Sequence, residues 1–165
     1  MISPIDRLKS LSVRNVMTHD VVTVSYSQTM PEAAAELRRR DVAWAPVVDE
    51  MGRCIGVLSA TDFLKREQEA DERECLDAGS SKVQEPSEQQ PLSITVEDEE
   101  RVSAYMSDSI QSVSAEVPVL MAARMMCAEH IHRLLVLDHD ERPLGVVSTM
   151  DVVAALLNAI EESTM

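Results

Sequence analysis

The sequence predicts an α/β (α+β) fold in which two copies of one strand-helix-strand-strand-helix unit pack as a single pseudo-twofold module. Three observations predict this fold. The chain repeats itself, each repeat alternates β-branched runs with helical stretches, and neither repeat can cover its own sheet. With 165 residues, 45% of them hydrophobic, the chain can bury one sizeable core or two small cores packed together.

The internal repeat has an offset of 89 residues. Its register holds without a gap when residues 13–64 are set against residues 102–153. Identical pairs include Met17 with Met106, Asp49 with Asp138, Gly56 with Gly145, Ser59 with Ser148 and Asp62 with Asp151. Chance agreement seldom keeps one register over about fifty positions, so the repeat indicates a duplication.

Each copy contains β-branched runs and two helical stretches in the same order. In the first copy, Thr29 and Glu32 have the spacing of a capping box, which predicts that a helix begins there. The elements predicted for this copy are strands at 21–24, 44–48 and 54–59, a turn at 49–52, and helices at 32–40 and from about Thr61. Those predicted for the second copy are strands at 110–113, 133–138 and 143–148, and helices at 117–130 and 149–160.

The segment between the copies has a different composition. Residues 67–100 hold twelve Asp or Glu and two Arg or Lys, with Gly, Ser and Pro in the middle. This composition is typical of a solvated helix extension followed by a loose linker. We therefore divide the chain into a first motif at 10–66, an acidic linker or insertion at 67–98, and a second motif at 99–162. Residues 93–96 (SITV) form a further candidate strand.

The charge and the cysteines exclude several classes of function. The formal net charge is −14, whereas a protein that neutralises nucleic-acid phosphates needs a basic surface, so we expect neither nucleic acid nor a membrane as a partner. No stretch approaches the roughly 18 consecutive apolar residues of a membrane helix, and no signal peptide is evident. Cys54, Cys75 and Cys127 include no closely spaced ligand pair, which predicts reduced thiols, no metal site and a cytoplasmic protein.

Each copy closes on the pattern Gly-apolar-apolar-Ser-x-x-Asp, where a predicted strand turns into a helix. Gly56 and Gly145 would let the backbone approach a ligand closely. A hydroxyl and free N–H groups at a helix N-terminus suit a phosphate, and a carboxylate can accept hydrogen bonds from both hydroxyls of a ribose. The spacing also fits a structural role, with Ser59 and Ser148 as helix N-caps and the Asp residues in the first turn.

Together, several segments of the two copies resemble the CBS family, in which a pair of motifs forms a Bateman module. They are the VMT and YMS starts at 16–18 and 105–107, the apolar strands ending in Asp49 and Asp138, and the closing segments GVLSATDF (56–63) and GVVSTMDVV (145–153). The resemblance implies that Asp62 and Asp151 hold the ribose hydroxyls of a nucleotide. It also implies that each cleft is completed by the chain ahead of the first strand of the other copy.

The resemblance places the main site at Asp151. The His132-Arg133 step is similar to the pair that contacts nucleotide phosphates in the gamma subunit of AMP-activated protein kinase, although His132 could also be a plain strand histidine. The residues expected at this main site are Thr18, His19, Asp20, Val21, His132, Arg133, Ser148 and Asp151.

A second, weaker site is expected at Asp62, where the first copy has Ala43-Trp44 in place of His-Arg. Trp44 could stack on a base or fill the cleft. Together with the acidic Asp108, it favours a neutral or cationic ligand, or a blocked cleft. The residues expected here are Ala43, Trp44, Ser59, Asp62, Ser107 and Asp108, followed in the chain by Ser109 and Ile110.

The sequence thus predicts a stand-alone sensor that binds AMP, ADP or ATP as a regulatory ligand and modulates an unknown effector protein. The resemblance further implies homodimers. No catalytic motif accompanies the four His residues, so we expect no catalysis and no cofactor. Two alternatives remain at this point: a ligand-free interaction or oligomerisation scaffold, and a sensor of S-adenosyl ligands.

Overall fold

The computed structural model describes residues 4–78 and 100–162. The candidate strand at 93–96 and most of the acidic segment lie outside the described residues. The helices are α1 (Pro4–Ser10), a 3-10 turn (Val13–Asn15), α2 (Met30–Arg39), α3 (Ala60–Ala78), α4 (Val102–Tyr105), α5 (Val119–Ala128) and α6 (Thr149–Glu161). The strands are β1 (Val24–Ser25), β2 (Trp44–Val48), β3 (Cys54–Ser59), β4 (Ser112–Ser114), β5 (Arg133–Leu137) and β6 (Pro143–Ser148).

The strands form two three-stranded sheets with the same topology, ordered β1-β2-β3 and β4-β5-β6. In each sheet the first strand is parallel to the middle strand, which pairs antiparallel with the third. The registers also repeat, because Val24 lies opposite Val47 and Val113 lies opposite Val136. The predicted α/β fold and its duplication are therefore confirmed.

The first strand of each copy is shorter than predicted. The structure has strand at 24–25 instead of 21–24, and at 112–114 instead of 110–113. The chain ahead of each strand pairs with the other copy instead: Thr18 forms an isolated antiparallel bridge with Val146, and Ser107 forms one with Val57. The β-branched residues at 21–23 are thereby kept out of their own sheet.

The two copies exchange their leading segments. Val13 and Met17 pack in the core of the second copy, and Val102 packs in the core of the first. Backbone hydrogen bonds fix both exchanges, from Val13 N–H to the carbonyl of Val117 at 2.8 Å and from Val102 N–H to the carbonyl of Gln28 at 2.9 Å. Because each core includes residues of the other copy, the pair forms one module, as the sequence predicted.

Gly56 and Gly145 lie where the exchanged segments cross the third strands. A Cβ on Gly145 would be 2.7 Å from the carbonyl oxygen of Thr18, and one on Gly56 would be 2.8 Å from that of Ser107. The expectation that these glycines let a ligand approach stays a prediction. They admit the backbone of the other copy.

Helices α2 and α5 end in matched positions. Asp41 and His130 follow them with φ of 54° and 53°, in the left-handed region that often closes a helix. The predicted capping box at the start of α2 is also present, with Glu32 N–H donating to the Thr29 hydroxyl and Thr29 N–H donating to the Glu32 carboxylate. The capping box fixes where α2 begins. The left-handed residues Asp41 and His130 set where the chain leaves α2 and α5 and enters the middle strands.

Candidate functional site

Two clefts lie between the copies, one beside Asp151 and one beside Ser59. The Asp151 cleft has a volume of about 380 Å³ and the Ser59 cleft about 430 Å³, within the range of small-molecule sites. The Asp151 cleft is lined by Thr18, Asp20, Val21, Val22, Asp41, Val42, Ala43, Trp44, Pro46, Arg133, Val146, Ser148 and Asp151. The Ser59 cleft is lined by Trp44, Val57, Ser59, Ser109, Gln111, His130, Ile131, His132, Arg133 and Leu135.

The repeat relates the two clefts. An offset of 89 residues carries Ser148 onto Ser59 and Val146 onto Val57, and it also exchanges Trp44 with Arg133. Both of these middle-strand side chains line both clefts. The clefts are therefore neighbouring, pseudo-equivalent sites that differ in the side chains at matched positions.

The Asp151 carboxylate has a structural role and a free oxygen. One oxygen, Oδ2, accepts hydrogen bonds from the Ser148 N–H and hydroxyl, both at 2.7 Å. Ser148 is the N-cap of α6 and accepts in turn from Asp151 N–H at 3.3 Å, so the N-cap alternative raised from the sequence describes its local role correctly. Within residues 4–78 and 100–162, no hydrogen bond reaches Oδ1 of Asp151, which leaves it able to accept from a ligand.

Both oxygens of the Asp62 carboxylate have a partner within the protein. Its Oδ2 accepts from the Ser59 N–H and hydroxyl at 2.8 Å, as in the second copy, but its Oδ1 pairs with the Lys65 ammonium at 3.4 Å. Asp62 is 3% exposed. The residue that matches Lys65 in the second copy is Ala154, so the Asp151 carboxylate has no such internal partner.

The structure brings together most residues predicted for the main site. Thr18, Asp20, Val21, Arg133, Ser148 and Asp151 line one cleft. Two residues line the other cleft from the one expected: His132 lines the Ser59 cleft, and Ala43 lines the Asp151 cleft. The cause is the exchange between copies, since the residue leading each middle strand faces the cleft of the other copy's closing motif.

The remaining predicted residues are divided. Ser59 lines its cleft and Trp44 lines both, whereas His19, Asp62, Ser107 and Asp108 are not among the residues that line either cleft. Sequence reasoning missed Asp41, which follows α2 and lines the Asp151 cleft, and His130, its counterpart at the other cleft. Both lie two positions ahead of predicted site residues, Ala43 and His132, which is the spacing of one face of an extended chain.

The two clefts carry opposite charge. Asp20, Asp41 and Asp151 line the Asp151 cleft with Arg133 as the one basic side chain among its lining residues. His130, His132 and Arg133 line the Ser59 cleft, whose lining residues include no carboxylate. The expectation of a neutral or cationic ligand at the first copy's cleft rested on Asp108 and on Trp44 in place of Arg. Asp108 is not among the residues that line this cleft, whereas Arg133 is.

One group of side chains in the described part of the chain has ligand atoms close enough for a metal ion: Asp138, His139 and Asp140, in an exposed turn. The Asp138 carboxylate already accepts hydrogen bonds at 2.8 Å from the backbone N–H groups of Asp140 and Arg142. The Arg142 N–H lowers the pKa of Asp138 below its usual value. Because Asp138 is already occupied and the other two side chains are exposed to solvent, we assign no metal to this turn.

Comparison with known proteins identifies the family. The family model of the CBS domain matches residues 13–69 and 102–158, more than half of the chain. The chain therefore belongs to the CBS-domain family and carries the domain in tandem. CBS-domain pairs are generally regulatory. None of the helices in residues 4–78 and 100–162 combines the length and the apolar composition that a membrane span requires.

Several relatives and solved structures align with most of this chain, across both CBS domains. The uncharacterized protein MK0525 of Methanopyrus kandleri is 25% identical over 158 residues, which are 94% of this chain and 69% of that protein. The structure of CBSX2 in complex with AMP has a TM-score of 0.66 at 22% identity, covering 90% of this chain and 98% of that one. The CBS pair of MJ0100, in complex with 5′-methylthioadenosine and S-adenosyl-L-methionine, has a TM-score of 0.62 at 18% identity, covering 90% and 97%. The cytosolic domain of the Mg²⁺ channel MgtE, in complex with ATP, has a TM-score of 0.62 at 25% identity, covering 92% and 51%.

Proposed function

We propose that this protein is a regulatory module that binds an adenine nucleotide, AMP, ADP or ATP, in the Asp151 cleft and thereby modulates a partner protein. The observation that carries the proposal is the free Oδ1 of Asp151 beside the N-terminus of α6. The ligand would pair its ribose hydroxyls with this oxygen. The backbone of Thr18, Asp20 and Val21, which line this cleft, would contact the adenine edge.

The ligands of the similar structures support this choice. AMP, ATP, 5′-methylthioadenosine and S-adenosyl-L-methionine share one part, an adenosine with a vicinal ribose diol. A carboxylate that accepts hydrogen bonds from a diol is selective for such a group, because charge-assisted bonds are about twice as strong as neutral ones. The proposed common recognition is therefore of adenosine, with Arg133 placed for a phosphate.

The charge of the cleft favours a second candidate ligand. Asp20 and Asp41 add two carboxylates to that of Asp151, against the single guanidinium of Arg133. Such a cleft suits a cationic adenosyl compound, such as the sulfonium S-adenosyl-L-methionine, more than it suits a triphosphate. We therefore retain an S-adenosyl sensor as the alternative function.

Thermal unfolding with AMP, ADP, ATP, S-adenosylmethionine and GTP tests the proposal. A ligand at about 100 times its Kd adds roughly 2.7 kcal/mol, which corresponds to about 5–10 °C in Tm for a domain of this size. We expect that rise with an adenine nucleotide and none with GTP. A rise with S-adenosylmethionine alone would favour the alternative ligand. No rise with any of them would favour a ligand-free interaction scaffold.

The surface of α6 supports the proposed homodimer. This helix exposes Met150, Val153, Leu157 and Ile160, between 45% and 71% of each side chain. The pseudo-equivalent α3 has polar residues at three of the matched positions, Thr61, Gln68 and Asp71. We propose that two copies of this chain meet in the cytoplasm through the apolar side of α6.

A single charge on this surface tests the dimer. Leu157→Glu is expected to shift the protein from dimer to monomer in sedimentation or light scattering, because a buried unpaired carboxylate is strongly unfavourable. The matched control is Gln68→Glu on α3, at the equivalent position, and it should leave the dimer unchanged. A wild-type monomer at tens of micromolar, or equal behaviour of both variants, would contradict the proposal.

A further inference from the structure

We propose that the groove between α2 and α3 is the docking site for a short amphipathic helix of an effector protein, with apolar side chains on one face and carboxylates along one edge. The groove has a volume of about 410 Å³ and is lined by both helices of the first copy. Its floor is apolar and includes Met30, Ala34, Leu37 and Phe63. A groove of this kind accepts the apolar face of a helix.

The second copy shows what kind of element packs at this position. There the matched helices, α5 and α6, are both contacted by α1. In α1, Leu8 is 8% exposed, and Arg7 pairs with Glu162 beyond the end of α6. The repeat thus supplies a precedent for a short helix, with a buried leucine and an ion pair at its edge, against this pair of helices.

The α2 side of the groove is basic. Arg38 lines the groove and is exposed, and within residues 4–78 and 100–162 it has no ion-pair partner, whereas Arg39 and Arg40 pair with Glu36. The matched residues of α5 are Cys127, Ala128 and Glu129. The basic edge is therefore specific to the first copy. In a chain with a net charge of −14, it marks the side of the groove that a carboxylate would contact.

The α3 side of the groove offers no comparable charge. Arg66 pairs with Glu100 at 2.8 Å, and Glu67 adds a carboxylate to the lining. A docked helix that carried carboxylates on both edges would meet Glu67, so the acidic edge should face α2 alone. The two edges together fix the orientation of the partner helix.

The chain itself offers a competing occupant. Residues 93–99 match α1 by the offset of 89 residues, and they lie outside the described residues. At the position of Leu8, the buried residue of α1, this stretch has Glu97. It lacks the apolar anchor that α1 buries, so we assign the groove to a partner.

The probe is a synthetic peptide of about 16 residues with Leu on one helical face and Glu along one edge, since shorter helices are marginal in water. The same peptide with Lys in place of Glu is its control. Non-specific attraction to a chain of net charge −14 favours the basic peptide, so a preference for the acidic one reports on the groove. Because Val42 and Ala43 line both the groove and the Asp151 cleft, anisotropy titrations are run without nucleotide.

We expect the wild type to bind the acidic peptide about tenfold more tightly than the basic one. Arg38→Glu, which changes an exposed side chain, should reverse this preference, and the Tm of the free variant reports on its fold. The matched control on α5 is Cys127→Glu, which should leave both affinities unchanged. Asp151→Asn should also bind both peptides as the wild type does, which separates this inference from the proposed function.

Three results would overturn the proposal: a preference of the wild type for the basic peptide, equal affinities in the wild type and Arg38→Glu, and no binding by the wild type at millimolar concentration. In the last case, binding that appears once residues 80–97 are replaced by a Gly/Ser linker would assign the groove to the chain's own acidic segment. Absence of binding in that variant as well would show that the groove is not a docking site.

Discussion

An Asp151→Asn variant is expected to bind AMP about 10- to 100-fold more weakly than the wild type, because a hydrogen bond to a charged group contributes about 1.5–3 kcal/mol. The substitution should leave the fold intact. An Asn side-chain oxygen can still accept from Ser148 N–H and hydroxyl, which are the bonds that hold the start of α6. Isothermal titration calorimetry measures the Kd, and the Tm of the unliganded variant reports on the fold.

The matched control is Asp62→Asn in the first copy. Asp62 is buried and paired with Lys65, so this variant should lower the Tm of the free protein while it leaves the AMP affinity within about twofold of the wild type. The pair of variants therefore separates loss of a ligand contact from loss of stability. Equal AMP affinity in Asp151→Asn and the wild type would place the nucleotide elsewhere, as would a large loss of affinity in Asp62→Asn.

Local features of the sequence were enough to predict the elements of the fold. β2 and β3 occur at the predicted residues, 44–48 and 54–59, because β-branched runs are bounded there by turn residues. The capping box of Thr29 and Glu32 marks the start of α2 within the sequence itself. Such signals act over a few residues, and the duplication offered the strand signals twice, although the second copy has Pro118 in place of the capping Thr29.

Contacts between the copies were harder to predict, because hydrophobic patterns do not show which copy a segment packs on. Val13 and Val102 look like ordinary apolar residues ahead of the first strands, yet each completes the core of the other copy. The same exchange explains why His132 was assigned to the Asp151 cleft and lies in the Ser59 cleft. The family resemblance implied this exchange for both clefts, through Thr18 to Val21 and through Ser107 to Ile110, but the sequence pattern alone did not.

The difference between Asp62 and Asp151 depends on a side chain outside the motif. The Ser-x-x-Asp pattern is identical in the two copies, and both copies use it to cap a helix. Lys65, one turn into α3, decides whether the second carboxylate oxygen is free, and Ala154 takes its place in α6. The sequence would have revealed this difference if the residues three positions after each Asp, Lys65 and Ala154, had been compared.

Gly145→Ala is expected to lower the free energy of unfolding by about 1–3 kcal/mol, the usual cost of overpacking a close contact. The new Cβ would lie 2.7 Å from the carbonyl oxygen of Thr18 and 3.0 Å from the Met17 sulfur. The carbonyl cannot easily move, because it accepts from Val146 N–H at 2.9 Å while Thr18 N–H donates back to Val146 at the same distance. Urea unfolding of the free variant measures the loss.

Two further measurements show whether this glycine serves packing or ligand binding. Gly56→Ala, at the equivalent crossing with Ser107, should destabilise the protein by a similar amount, although the clefts beside the two glycines differ in charge. AMP binding by Gly145→Ala, measured at a temperature where the variant is folded, should weaken less than in Asp151→Asn. If instead Gly145→Ala kept the wild-type stability and lost AMP binding, the glycine would serve the ligand, and the crossing of the two backbones would not be the reason for its presence.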